Sequence, residues 1–285
     1  MRNCTLFVAA WIICTPVLGQ GQDSNPWSRD QQVILTMLEG TFSNSNQAYF
    51  DRRIDRPIKH DSMTVIAYPV SALSYRVDVV VGDQRTEQLW VFQPDDDARA
   101  VRMTATDVAV SNGPQCDLLW RREAAQFRAE ADGQCENSSL PLRVMLADRA
   151  IWLQRGADAD FYALDRARAF SCYVDIPGVG GGRDIPYKRY DDFELHDQGG
   201  SFWFESDDGR SLGVSMLLVD WPINNLEGIF TRNSLVLYIN ERTDDGQQEL
   251  AYTFTVPEAD RIGINLKWML VNCFMQSNED ATPSM

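Results

Sequence analysis

Ser74-Tyr75-Arg76-Val77-Asp78-Val79-Val80-Val81, then Gly82-Asp83-Gln84-Arg85, then Thr86-Glu87-Gln88-Leu89-Trp90-Val91-Phe92-Gln93, is the stretch whose reading decides the fold. Tyr75, Val77, Val79 and Val81 alternate with Ser74, Arg76 and Asp78, the period of two that gives a half-buried strand one apolar and one polar face. Gly82-Asp83 supplies a turn, and a second strand follows it. The same alternation returns in Leu250, Tyr252, Phe254 and Val256, and again in Ile262, Ile264, Leu266, Trp268 and Leu270. Shorter strand candidates are Met63–Tyr68, Asp117–Arg122, Ala150–Gln154, Ala169–Val174, Phe193–His196, Ser201–Glu205, Leu212–Leu218 and Ser234–Asn240. Turn signals such as Asn112-Gly113-Pro114, Asp207-Asp208-Gly209 and Asp244-Asp245-Gly246 separate them. A dozen short strands without helical periodicity between them predict an antiparallel barrel or sandwich, a single unit of about 250 residues.

One helix stands before the strands. Ser28 and Gln31 read as a capping box, Val33, Ile34, Met37 and Leu38 share one face, and Gly40 stops it. Before that, residues 1–19 carry one charge, Arg2, and the apolar run Leu6-Phe7-Val8-Ala9-Ala10-Trp11-Ile12-Ile13, the pattern of a secretory signal peptide cleaved near Gly19. Residues 20–285 then form the mature chain, expected to be periplasmic or secreted, with no membrane span once the signal is removed. The 285 residues hold 41 acids against 26 bases, a net of −15. Loss of Arg2 leaves 25 bases and a net of −16, which excludes nucleic acid as a partner.

Cysteine usage fits export. Cys4 and Cys14 leave with the signal, and Cys116, Cys135, Cys172 and Cys273 remain, an even number for which three pairings are open. The expected pairs are Cys116 with Cys135, which bracket one hairpin, and Cys172 with Cys273, which tie a middle strand to the last one. A metal site is not expected: no Cys-x-x-Cys occurs, His60 and His196 are far from any cysteine in sequence, and Asp95-Asp96-Asp97 lacks the spacing and glycine of a calcium loop.

Catalytic motifs are sparse. The glycine-rich Pro177-Gly178-Val179-Gly180-Gly181-Gly182-Arg183 lacks the Lys-Ser/Thr ending and the following helix of a phosphate loop. No Gly-x-Ser-x-Gly elbow is present. Leu195-His196-Asp197-Gln198-Gly199-Gly200 reads either as an acid/base pair, with the imidazole raised by the carboxylate, or as a tight turn. Trp90, Trp120, Trp152, Trp203 and Trp268 all fall in predicted strands, as walls of a cavity for a flat ligand or as ordinary core. Asn137-Ser138-Ser139 is a glycosylation sequon.

Two segments resemble a known family. Leu38-Glu39-Gly40-Thr41-Phe42-Ser43-Asn44-Ser45-Asn46-Gln47-Ala48, with Asp51 after it, is similar to the N-terminal signature of the CpcT/CpeT chromophore lyases. Cys116-Asp117-Leu118-Leu119-Trp120-Arg121 through Phe127 to Gly133-Gln134-Cys135 resembles their Cys-containing hairpin, so that the likeness covers about residues 31–135. The resemblance implies an all-β, calycin-like antiparallel β-barrel with a short N-terminal helix. Its cavity would accept an open-chain tetrapyrrole, a bilin, that lyase members of the family attach to a cysteine of an acceptor protein. On that basis Tyr75, Arg76, Arg85, Gln88, Trp90 and Trp120 are the expected cavity residues, with Arg85 pointing inward to a propionate, and Glu87 and His196 the proton-transfer residues.

No cofactor is required in that scheme; the bilin or another tetrapyrrole is the ligand, and a second copy in a homodimer is a further expected partner. Three departures stand beside the likeness. Arg85-Thr86-Glu87-Gln88-Leu89-Trp90 lacks the tyrosine of the family's Tyr-Arg-Gln-Arg strand, an export signal is present, and the chain is longer. The other expectation is a non-catalytic envelope protein whose barrel is filled by its own side chains.

Overall fold

The computed structural model describes residues 25–276, apart from 54–56, 58–59, 83, 110–114, 134, 136–139, 157–159, 179–185 and 226–227. The signal peptide, Cys4, Cys14, the sequon at Asn137, the Asn112-Gly113-Pro114 turn and most of the glycine-rich loop lie outside the described residues.

Helix α1 (Pro26–Leu38) begins three residues before the expected start. Asn25 caps it, its side chain accepting from the Trp27 amide, and Pro26 at the first position loses no hydrogen bond there. Gly40, at φ +128, ends it. β1 (Gly40–Ser43) and helix α2 (Ser45–Arg53) follow. Then come β2 (Met63–Ser71), β3 (Ser74–Val81), β4 (Gln84–Asp95), β5 (Ala100–Asp107), β6 (Gln115–Glu123), β7 (Gln126–Ala131), β8 (Arg143–Ala147), β9 (Ala150–Gln154) and β10 (Tyr162–Arg166). Each strand from β2 to β10 pairs antiparallel with the next, and β1 sits between β10 and β2, closing a ten-stranded barrel. The alternation predicts an antiparallel barrel or sandwich, and from Gly40 to Arg166 the strands close into an all-β barrel.

Strand parity fills the barrel. Val77, Trp90, Phe92, Met103, Leu118 and Phe127 point inward and belong to one continuous buried cluster. Helix α1 adds Ile34 and Leu38, both fully buried, each contributing roughly 1.5–3 kcal/mol. Polar contacts fix the helix over one barrel end. Asn25 bonds Asp96 in the β4–β5 turn, Gln31 Nε2 donates to the Phe92 carbonyl at 2.8 Å, and Arg122 at the end of β6 pairs with Asp30 at 2.7 Å. Arg166, closing β10, donates to the Met37 and Glu39 carbonyls. The Cys116–Cys135 disulfide spans the β6–β7 hairpin as expected.

The barrel is smaller than the single 20–285 unit read from the sequence, because the remaining strands do not enter it. β11 (Ala169–Pro177), β12 (Tyr187–His196), β13 (Gln198–Glu205), β14 (Ser211–Asn225), β15 (Gly228–Thr243), β16 (Gly246–Thr255), β17 (Arg261–Asn265) and β18 (Leu270–Met275) form two four-stranded sheets. Their orders are β12-β11-β18-β17 and β13-β14-β15-β16. Phe170, Val174 and Val271 of one sheet meet Val214, Leu237 and Ile239 of the other in a second core that shares no residue with the first. Cys172 and Cys273 face each other across β11 and β18 and are bonded, again as expected.

One departure concerns this half. Ile262 to Leu270 is not one strand: Lys267, at φ +70, turns the chain, so β17 and β18 pair as a hairpin and Trp268 lies in its loop. The barrel meets the sandwich through α2, where Ser45 Oγ donates to the Gln198 carbonyl at 2.9 Å. Gly199 there has φ +86, and a Cβ on it would come within 2.7 Å of Ser45 Oγ, so both conformation and space require glycine. Among the described residues no helix is long and apolar enough to cross a membrane.

Candidate functional site

The β3–β4 register sorts the barrel candidates into two sets. Tyr75 opposes Trp90 and Val77 opposes Gln88 on the inner face, while Asp78 opposes Glu87 and Val80 opposes Arg85 on the outer one. Tyr75, Gln88, Trp90 and, from β6, Trp120 are buried together inside; Trp90 Nε1 donates to Gln88 Oε1 at 2.9 Å. Burial, reinforced by the Glu39 carboxylate, pushes the Tyr75 phenol up, so it stays protonated. Trp120 Nε1 finds no hydrogen-bond partner among the described residues.

Arg76, Arg85 and Glu87 are outside. Arg76 pairs with Glu87, and Arg85, 64% exposed, donates to Asp78 Oδ2 at 2.5 Å. The expectation of an inward Arg85 is therefore corrected: it has the parity of Glu87 and Leu89, not of Gln88 and Trp90. Of the five tryptophans read either as cavity walls or as ordinary core, Trp90 and Trp120 are barrel core, Trp152 is 44% exposed, and Trp203 and Trp268 belong to the sandwich.

His196 lies at the end of β12, in the sandwich, away from Glu87 on the barrel wall. Its imidazole is lowered, because burial outweighs the neighbouring carboxylate, the reverse of the expected direction. Asp197 works elsewhere: its carboxylate accepts from the Arg168 amide at 2.8 Å and from Arg168 Nε at 2.6 Å. His196 Nδ1 accepts from the Gln198 amide at 3.3 Å. This is the tight turn, not an acid/base pair, with one of its two glycines, Gly199, at positive φ.

The signature segment builds a corner. Asn44 accepts from the Met63 amide at 2.6 Å and donates to the Asp61 carbonyl at 3.0 Å. Gln47 donates to the Phe161 carbonyl at 2.9 Å and accepts from the Ala163 amide at 3.0 Å. Asp51 accepts from both the amide and Nδ1 of His60, at 3.1 and 2.7 Å. The Asn-x-x-Gln spacing and the acid after it thus tie β1, α2, β2 and β10 together.

A cleft of about 660 Å³ opens at the end of the sandwich, where β11 ends, β12 begins, and the β13–β14 and β17–β18 turns come together. Ile176, Leu212 and Leu266 give it an apolar floor, Tyr190 and Trp268 aromatic walls. Charged groups form the rim. Lys188 pairs with Asp207, and its ammonium is held up and the carboxylate held down by that contact. Arg210 grips Glu241 with two hydrogen bonds, at 2.7 and 3.1 Å, and lies 4.5 Å over the Trp268 ring. Trp268, Arg210 and Leu266 also border a second hollow of about 390 Å³.

Sequence reasoning missed this site. Lys188 falls in none of the strands predicted from the sequence, and Lys267 and Trp268 both fall in what the alternation reads as one continuous strand. The available signal was the lysine count, since only Lys59, Lys188 and Lys267 occur among 26 basic residues and two of them meet at the cleft. Among the described residues no group of three or more His, Cys, Asp or Glu could hold a metal ion. Comparison with family models, curated proteins and solved structures finds no match to the chain.

Proposed function

We propose that the chain is a non-catalytic binding protein, periplasmic or secreted, that holds a small amphipathic molecule in the cleft at the end of the sandwich, with the barrel as its packed scaffold. The observation that carries this reading is the cleft itself. It has a volume within the roughly 300–1,000 Å³ range of small-molecule sites, an apolar floor, two aromatic walls and a few charged groups on the rim. The signal-like N-terminus and the two disulfides support the extracytoplasmic placement. The neutral probe N-phenyl-1-naphthylamine should give a saturable fluorescence increase with the purified chain, reduced in Trp268→Ala and in Tyr190→Ala. Absence of a saturable increase in the parent protein would sink the reading.

The two signature segments favour a second reading, a bilin within the barrel, because Tyr75, Gln88, Trp90 and Trp120 share its inner face. Lyase chemistry there would have to take its proton from the Tyr75 phenol, because Glu87 and His196 lie elsewhere. Titration with biliverdin separates the readings: binding lost in Trp90→Phe or Trp120→Phe points to the barrel, and binding lost in Trp268→Ala to the cleft. Lyase activity would further require an adduct on an acceptor cysteine that survives denaturation.

A further inference from the structure

We infer that the molecule taken by this cleft is an amphiphile with a single anionic head, a carboxylate or sulfonate on an alkyl or aryl body, and that Lys267 takes the head. The inference rests on the reading of the cleft as a binding site and adds the chemistry of its occupant.

Among the described residues three basic side chains reach the rim, and two of them are already neutralised. Lys188 is held by Asp207, and Arg210 by both oxygens of Glu241. The remaining carboxylate on the rim, Asp208, accepts from Ser206 Oγ. Asp208 keeps its charge on the Arg210–Glu241 side of the rim, and Lys267, exposed and with no partner for its ammonium among the described residues, is the one cation there without a carboxylate at the mouth of the apolar hollow.

Its backbone makes the placement specific. Lys267 sits at φ +70, a conformation that glycine or asparagine adopts far more easily than a long side chain. The turn is held by the Asn265 side chain, which accepts from the Lys267 amide at 2.9 Å, and by the Leu266 amide bonding the Met269 carbonyl at 2.9 Å. The left-handed residue thus sits immediately before Trp268, whose ring walls the cleft, so head and body of a bound amphiphile would be read by adjacent residues. The neutral rim pairs favour neither sign of ligand, and Leu212 and Ile176 beneath them favour an apolar body. The acid excess of the whole chain acts over distance and is screened within about 8 Å at physiological salt, so contact at Lys267 decides the preference.

Two probes with the same aromatic body test the inference: N-phenyl-1-naphthylamine, which is neutral, and 1-anilinonaphthalene-8-sulfonate, which carries one anionic group. The sulfonate is expected to bind about tenfold tighter to the full chain, the size of one charge-assisted hydrogen bond. Lys267→Asn, which keeps a residue tolerant of positive φ, should abolish that preference while leaving the neutral probe's affinity unchanged. Lys267→Arg should restore most of it. Equal affinities in the parent protein, or an undiminished preference in Lys267→Asn, would overturn the anionic head and leave the cleft standing. Failure of both probes to bind would overturn the cleft reading itself.

Discussion

At His196, burial competes with a neighbouring charge and prevails. The buried imidazole is neutral in the fold, its pKa lowered, while an unfolded chain takes up the proton near the ordinary value of about 6.5. Below that value the unfolded state binds more protons than the folded one. The stability contribution is therefore complete above about pH 6.5 and is lost as pH falls toward the lowered folded value. In His196→Gln the decline of unfolding free energy below about pH 6.5 should flatten, as measured by urea unfolding; an unchanged slope would place the acid sensitivity elsewhere. Asp197, 1% exposed, holds the more conventional ion pair. Asp197→Ala leaves the Arg168 amide and guanidinium without that acceptor and should cost about 2–3 kcal/mol, less than a fully buried pair because Arg168 reaches solvent. The same pair shows why the site was illegible in the sequence. His196 and Asp197 are adjacent in the chain, but Asp197 sits in the turn after β12 and its carboxylate is taken by Arg168, so adjacency in sequence argued for a contact that the turn does not make. Arg85 was misread on strand parity, since successive side chains alternate faces and it is out of phase with the inward Gln88 and Trp90.

Elements with a clean period of two were legible, and those without it were not. β3 and the start of β17 follow the alternation read from the sequence, whereas β7 carries only Phe127 and Ala129 inward and gave no signal above its polar neighbours. Helix α2 was missed because it holds its place by polar contacts, through Ser45, Gln47 and Asp51, and not by an apolar stripe. The β17–β18 hairpin was invisible for a subtler reason: a tight turn at Lys267 leaves the alternation of Ile264, Leu266, Trp268 and Leu270 unbroken in sequence. Helix α1 was predicted on its apolar face, and that face is what closes one end of the barrel. Leu38→Ala should therefore cost about 2–5 kcal/mol, because the surrounding strands cannot collapse into the space, while Thr36→Ala on the exposed side should change stability little. Equal effects in a denaturant titration would mean that α1 is not packed as described.

For the whole molecule, the sequence predicted a barrel or sandwich, and the chain builds one of each. Composition fixed neither the boundary near residue 167 nor the second core, since both halves are made of similar short strands. Each half carries one disulfide, closing 19 residues in the barrel and 101 in the sandwich. On the chain-entropy estimate the longer loop contributes about 4–5 kcal/mol and the shorter about 3. Replacing Cys172 and Cys273 by serine should therefore lower the sandwich's stability, followed by a change in Trp268 environment, more than it lowers that of the barrel, followed at Trp120. A uniform loss at both reporters would show that the two cores unfold as one unit. The barrel also has a seam. β1 is four residues long and meets β10 through two residue pairs, Phe42 with Arg166 and Ser43 with Asp165, whereas β3 and β4 are joined through eight. During synthesis the ring stays open until Arg166 has emerged. Until then, β1 and the growing end of the meander are unpaired edges able to recruit a strand from another nascent chain, so the most vulnerable interval of this protein's life is the one before its shortest strand finds its second neighbour.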